Sequence, residues 1–194
     1  MPVVPSRFAI IAGGSGSGKT TLALGLLTRF PDWTIVHLDD YQKPREQIPK
    51  LGRHRNWDHP EAVDFERLIR DLQALRRGES VMVMARDQTA QTDDYAPKTV
   101  VPGPRLILEG YLALWHQKVR EMADLRVYLD APPDVRLARR RWKKSEAYVK
   151  DVLEPMHVLH VEPTKAHADL VIDVGSRTSK EILEWVVTCL DPTA

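Results

Sequence analysis

Residues 13–21 carry the first pattern with obvious chemistry. Gly13, Gly14, Ser15, Gly16, Ser17, Gly18, Lys19 and Thr20 fit G-x-x-x-x-G-K-[ST], and Thr21 follows. A glycine-rich backbone lets successive N–H groups converge on the oxygens of a phosphate chain. A helix opening at the lysine adds a favourable field for negative charge. In such a cradle Lys19 neutralises charge on the β- and γ-phosphates, and the Thr20 hydroxyl is a ligand for Mg²⁺. The spacing therefore predicts binding of a nucleoside triphosphate through residues 13–21. It is silent about what receives a phosphoryl group.

Two carboxylates extend the pattern. Asp39 and Asp40 follow the apolar run 34–38, where the tip of a strand would place them at the ligand edge of an open α/β sheet. Phosphoryl transfer to an alcohol needs a carboxylate that orients the attacking hydroxyl and accepts its proton, and Asp39 is the candidate. Glu109 follows the apolar run 106–108 and precedes Gly110. An acid there holds Mg²⁺ directly or through water; the competing reading is an acid at a helix amino terminus.

The elements needed to position these groups are legible in outline. Apolar runs at 8–12, 34–38, 81–84, 106–108, 125–129 and 170–172 read as strands, several of them without alternation, as in strands covered on both faces. Helices are expected over 19–29, from Phe65 to the stop at Gly78, from Pro133 through Lys144, and from the Thr178/Glu181 capping box to Leu190. The alternation predicts a three-layer α/β P-loop NTPase fold with a mostly parallel central sheet, as one domain over residues 1–194. Segments 41–60 and 86–104, with their prolines and charges, read as surface loops.

Composition narrows the function class. The 194 residues include 28 Lys+Arg and 27 Asp+Glu, for a net charge of +1. That balance lacks the broad basic field of a nucleic-acid or membrane-surface binder, so anion recognition must be local. Cys189 is the single cysteine, which leaves no internal disulfide or cysteine metal cluster. No basic-then-apolar leader precedes Ser6 and no apolar run approaches ~20 residues, so a cytoplasmic location is expected. The seven histidines show no zinc spacing, and Trp33, Trp115, Trp142 and Trp185 read as core or rim aromatics. Tyr41 and Trp57 fall in the 41–60 segment and are candidates to stack on a base.

Taken together, Gly13–Thr20, Leu38-Asp39-Asp40-Tyr41, Asn56-Trp57-Asp58-His59-Pro60-Glu61-Ala62 and Leu108-Glu109-Gly110 resemble the uridine kinase and phosphoribulokinase-like group of P-loop kinases. Asp134-Val135-Arg136-Leu137-Ala138-Arg139-Arg140, Val161-Glu162-Pro163-Thr164-Lys165 and Ala168-Asp169-Leu170-Val171-Ile172 extend the resemblance over nearly the whole chain. It implies ATP and Mg²⁺ as donor and cofactor, and a small ribose-containing acceptor such as a nucleoside. It makes Asp39 the catalytic aspartate and Asp58 the acid that grips the ribose hydroxyls within an acceptor region at about 41–62. Arg140 and Lys143 fall where the family keeps lid cations, in a short basic lid at about 139–148. Lys19 and Arg140 would stabilise the transferring charge. Assembly into a homo-oligomer is also implied, though no interface is legible.

Two places depart from the family pattern. Uridine kinases usually carry a Tyr-Asp-Phe segment followed by His-Ser-Arg that recognises the pyrimidine. Here the aromatic becomes Arg86, the histidine Gln91 and the arginine Asp93, while Asp87 stays. The lid also lacks the usual Glu-Arg-Gly-Arg segment. Arg86 and Gln91 are therefore the candidate ring-facing residues. A nicotinamide riboside kinase remains open, as does a sugar or sugar-phosphate kinase in which Arg53, Arg55 and Arg86 bind an acceptor phosphate. A different class, an ATP-hydrolysing switch or binding module, stays open as well.

Overall fold

The computed structural model describes residues 3–86, 95–139 and 145–190, with the Arg86 side chain left out. Strands β1 (Arg7–Gly13), β2 (Thr34–His37), β3 (Lys50–Leu51), β4 (His54–Arg55), β5 (Val81–Arg86), β6 (Tyr95–Val100), β7 (Arg105–Glu109), β8 (Leu125–Asp130) and β9 (Leu170–Asp173) are joined by α1 (Lys19–Arg29), α2 (Phe65–Arg76), α3 (Gln117–Met122) and α4 (Pro133–Arg139) and closed by a carboxy-terminal helix (Ser179–Leu190). Five strands form the central sheet in the order β2-β7-β1-β8-β9, every pairing parallel.

Side chains alternate across a strand, and β1 divides the core accordingly. Phe8, Ile10 and Ala12 point to one face, where α2 packs through Leu68, Leu72 and Leu75. Ala9 and Ile11 point to the other, against Leu22 and Leu26 of α1 and Ile182 and Val186 of the last helix. Apolar demand on both faces is why these strands read as continuous apolar runs. The result is the expected three-layer α/β sandwich.

Three local expectations change. The run 81–84 does form a strand, but β5 stays out of the central sheet and pairs antiparallel with β6. The segment 86–104 therefore contains a strand rather than only loop; Met82 is 64% exposed, so this ribbon has one wet face and gives no doubly buried run. The segment 41–60 is not a plain surface loop either. Tyr41, Ile48 and Asn56 are buried, and β3 and β4 form a small hairpin.

The third change is an unforeseen helical rod. Short α and π pieces over 146–161 run on without leaving the right-handed helical region, and a 3-10 stretch continues to His167. Pro155 falls at the second position of one piece and interrupts the usual ladder, which accounts for the wider π turns beside it. The helix from Pro133 is followed as far as Arg139. The capping box is as expected: the Thr178 N–H and hydroxyl both donate to Glu181, and the Glu181 N–H donates back to Thr178. Among the described residues no helix is long and apolar enough to cross a membrane.

Ile10 is fully buried in the central strand, whereas Leu24 is 55% exposed on α1. Urea unfolding should show Ile10→Ala losing about 2–5 kcal/mol and Leu24→Ala staying within about 0.5 kcal/mol. Equal losses would refute the assignment of the two faces.

Candidate active site

The cradle is set by the turn between β1 and α1. Gly16 adopts φ 86, and a methyl there would lie 2.1 Å from the Arg136 carbonyl oxygen, so both conformation and space demand glycine. A methyl at Gly14 would meet Arg136 Cδ at 2.7 Å and His157 Cε1 at 2.8 Å. Gly18 caps α1 at φ 98 without a side chain, leaving the first N–H groups of the helix facing the loop. Lys19 is buried and its Nζ donates to the Gly14 carbonyl at 3.0 Å. The Ser17 hydroxyl is buried without a hydrogen-bond partner among the described residues. Thr20 is half-buried and Thr21 exposed in the first turn of the helix.

Burial lowers the Lys19 pKa; the charges of Glu109 and Asp39 oppose that shift, and Arg136 adds to it. Asp39 lies in a 3-10 turn, Leu38–Tyr41, one step beyond the end of β2. The residue is exposed, but the protein around its carboxyl removes enough hydration to raise its pKa to about 6. Glu109 adds to the rise, while Lys19 and His37 hold it back. Lys19, Asp39 and Glu109 thus share one electrostatic site.

Glu109 ends β7 in register with His37 at the end of β2, and His37 Nδ1 lies 2.8 Å from Glu109 Oε1. Burial alone would lower the His37 pKa, but the hydrogen bond and charge of Glu109 outweigh it and the net shift is upward. One Glu109 oxygen is thereby engaged. A carboxylate and a hydroxyl, as Glu109 and Thr20 would supply, are hard oxygen donors of the kind that suits Mg²⁺.

Trp57 and Asp58 are fixed by two tyrosines. Tyr111 donates to the Trp57 carbonyl at 2.7 Å. Tyr148, from the helical rod, donates to Asp58 Oδ2 at 2.7 Å, and its oxygen accepts from the Trp57 N–H at 3.2 Å. Burial, then the charges of Asp58 and Asp39, push the Tyr111 pKa well up, so this phenol stays protonated beside both carboxylates. Trp57 and Asp58 are half-buried. Tyr41 does not join them. It is 1% exposed, packed in the core with the Arg67 guanidinium 5.7 Å above its ring, and is not available to stack on a base. Its position in the 3-10 turn after Asp39 directs the ring inward.

The profile of the phosphoribulokinase/uridine kinase family matches residues 8–181. The chain belongs to this family. A uridine kinase from Deinococcus deserti is 36% identical over 178 residues, which is 85% of this chain and 86% of the relative. One from Brevibacillus brevis is 35% identical over 178 residues, 85% of this chain and 83% of the relative. Among solved structures, a possible uridine kinase from Bacillus stearothermophilus superposes with a TM-score of 0.61 at 25% identity, covering 89% of this chain and 91% of that one. A putative fructose transport system kinase from Silicibacter shares the fold, with a TM-score of 0.67 at 22% identity over 89% of this chain and 91% of its own. This family member is a phosphotransferase with a hydroxyl acceptor.

Sequence patterns missed several residues of this family member's site. His37, Tyr111 and Tyr148 carry no motif of their own and reach the site only through register and packing. Arg136, which stands just before the expected lid, lies against the cradle glycines. Its side chain is 2% exposed and forms a bidentate pair with Glu154, at 2.9 Å and 3.3 Å. The expectations for Gln91, Arg140 and Lys143 lie outside the described residues, as does that for the Arg86 side chain.

Removing one partner of a buried ion pair strands the other charge. Glu154→Ala should therefore cost on the order of 3 kcal/mol in urea unfolding, and a paired Arg136→Met/Glu154→Met replacement should recover much of it. A double variant as unstable as the single one would show that the loss comes from packing rather than from an unpaired guanidinium.

Proposed function

We propose that the chain is an ATP-dependent nucleoside kinase, moving the γ-phosphoryl group to a ribose hydroxyl. The observation that carries this reading is the shared site of Lys19, Asp39 and Glu109 at the carboxyl edge of the parallel strands. That the relatives are uridine kinases supports a nucleoside as acceptor.

Residues 13–18 supply backbone N–H groups to the triphosphate, and Lys19 leaves the Gly14 carbonyl to meet the β- and γ-phosphates. Thr20 and Glu109 would hold Mg²⁺, with His37 fixing the Glu109 carboxylate. When bound, the ion neutralises charge on the phosphates. Asp58, oriented by Tyr148, accepts hydrogen bonds from adjacent ribose hydroxyls and so selects which hydroxyl faces the donor. Asp39 orients that hydroxyl. As the acceptor oxygen bonds to the γ-phosphorus, the bond to the bridging oxygen breaks, ADP departs and the hydroxyl proton passes to Asp39. Tyr111, protonated under the influence of Asp39 and Asp58, holds the Trp57 carbonyl in place.

Asp39→Asn should lower kcat by about 10²–10⁴-fold while ATP binding, measured by calorimetry, persists. Turnover near the parent level would remove Asp39 from the role of base.

The pH dependence follows from the raised pKa. Asp39 must be ionised to take a proton, and its pKa in the free protein is about 6. Because kcat/KM reports the free enzyme, it should be level above that value and fall about tenfold per pH unit below it. A profile flat down to pH 5 would assign the proton to another group.

A further inference from the structure

A cationic hollow beside the acceptor carboxylate takes no part in the steps above. Between Gln42 and Trp57 the charged residues are Lys43, Arg45, Glu46, Lys50, Arg53 and Arg55, so all but one are cationic in a chain whose net charge is +1. Gly52, at φ 57, turns β3 back onto β4 and sets Lys50 opposite Arg55. Arg45, Lys50, Arg53 and Arg55 line a cavity of about 510 Å³ together with Trp57 and Tyr148.

None of these four cations has a carboxylate partner among the described residues. The Arg55 guanidinium donates to the Arg45 carbonyl at 2.7 Å, which fixes its place in the wall. Asp151, the acid that reaches this wall, is engaged by His54 at 3.3 Å. Like charges gathered around a hollow repel one another and attract an anion, with low-dielectric walls focusing the field.

The position of the hollow says where that anion belongs. Tyr148 lines it and holds Asp58. Nine residues further along the same helical rod, His157 abuts Gly14 of the cradle. That span separates Tyr148 from His157 by roughly 13 Å along the rod, comparable with the length of a small acceptor. An acceptor gripped at Asp58, with its hydroxyl turned toward the cradle, presents its far end to the cations.

We propose that the acceptor carries an anionic group, a carboxylate or a phosphate, at the end remote from the reacting hydroxyl, and that Arg45, Lys50, Arg53 and Arg55 hold it. This rests on Asp58 and Asp39 marking the acceptor side, as proposed above. It opposes an acceptor whose ring bears an uncompensated positive charge.

The test compares kcat/KM within matched pairs: uridine against 5-carboxyuridine, nicotinamide riboside against nicotinic acid riboside, and ribulose against ribulose 5-phosphate. The anionic member of the preferred pair should lead by about tenfold or more at low salt, and the lead should shrink as ionic strength rises. Lys50→Ala and Arg53→Ala, both at exposed positions, should each lower that ratio about threefold to tenfold. Neutral members that match or lead in every pair, or a lead that survives both substitutions, would overturn the anionic acceptor and leave the nucleoside kinase reading intact. Phosphorylation of ribulose 5-phosphate alone would do the reverse, retaining the cationic hollow and removing the nucleoside. No phosphorylation in any pair would sink both.

Discussion

Strand β7 lies between β1 and β2, and its last residue, Glu109, is in register with Ile11 on one side and His37 on the other. Because all three strands run parallel, their carboxyl ends open on one edge. The phosphate cradle after β1, the Asp39 turn after β2 and the Glu109 carboxylate are therefore neighbours, whatever their separation in sequence. An antiparallel β7 would send Glu109 to the opposite edge. The doubly apolar faces that Leu106, Ile107 and Leu108 present to two different core clusters keep that strand central.

That convergence creates an electrostatic tension that a bound substrate would relieve. A buried lysine sits among two carboxylates and a buried guanidinium, and its Nζ donates to the Gly14 carbonyl. Asp39 is pushed toward its protonated form by lost hydration and by the charge of Glu109. Such opposed shifts in neighbouring groups mark sites built to meet charge that the protein does not itself contain. A polyphosphate at Lys19 and a divalent ion at Glu109 would supply both signs.

The helical rod over 146–161 ties the glycine cradle to the Trp57–Asp58 segment. Glu154 holds the Arg136 that supports the cradle, His157 touches Gly14, and Tyr148 orients Asp58. One element thus contacts both segments.

Local sequence determined the parts whose signal lies within a few residues. The cradle spacing, the strand character of β1, β2 and β7, the bounds of α1 and the Thr178 cap were all legible, because backbone conformation and apolar periodicity there are set by adjacent residues. Tertiary structure alone decided the rest. It paired β5 with β6 outside the central sheet, since one wet face and one covered face look locally like any short strand. It also turned Tyr41 into the core and drew His37, Tyr111 and Tyr148 into the site. Those three act through partners 54–91 positions away, as with Tyr111 and Trp57 or Tyr148 and its bonds to Trp57 and Asp58. No periodicity within the chain encodes a contact at that distance; only the closing of the sheet and the packing of the rod across it bring such groups together.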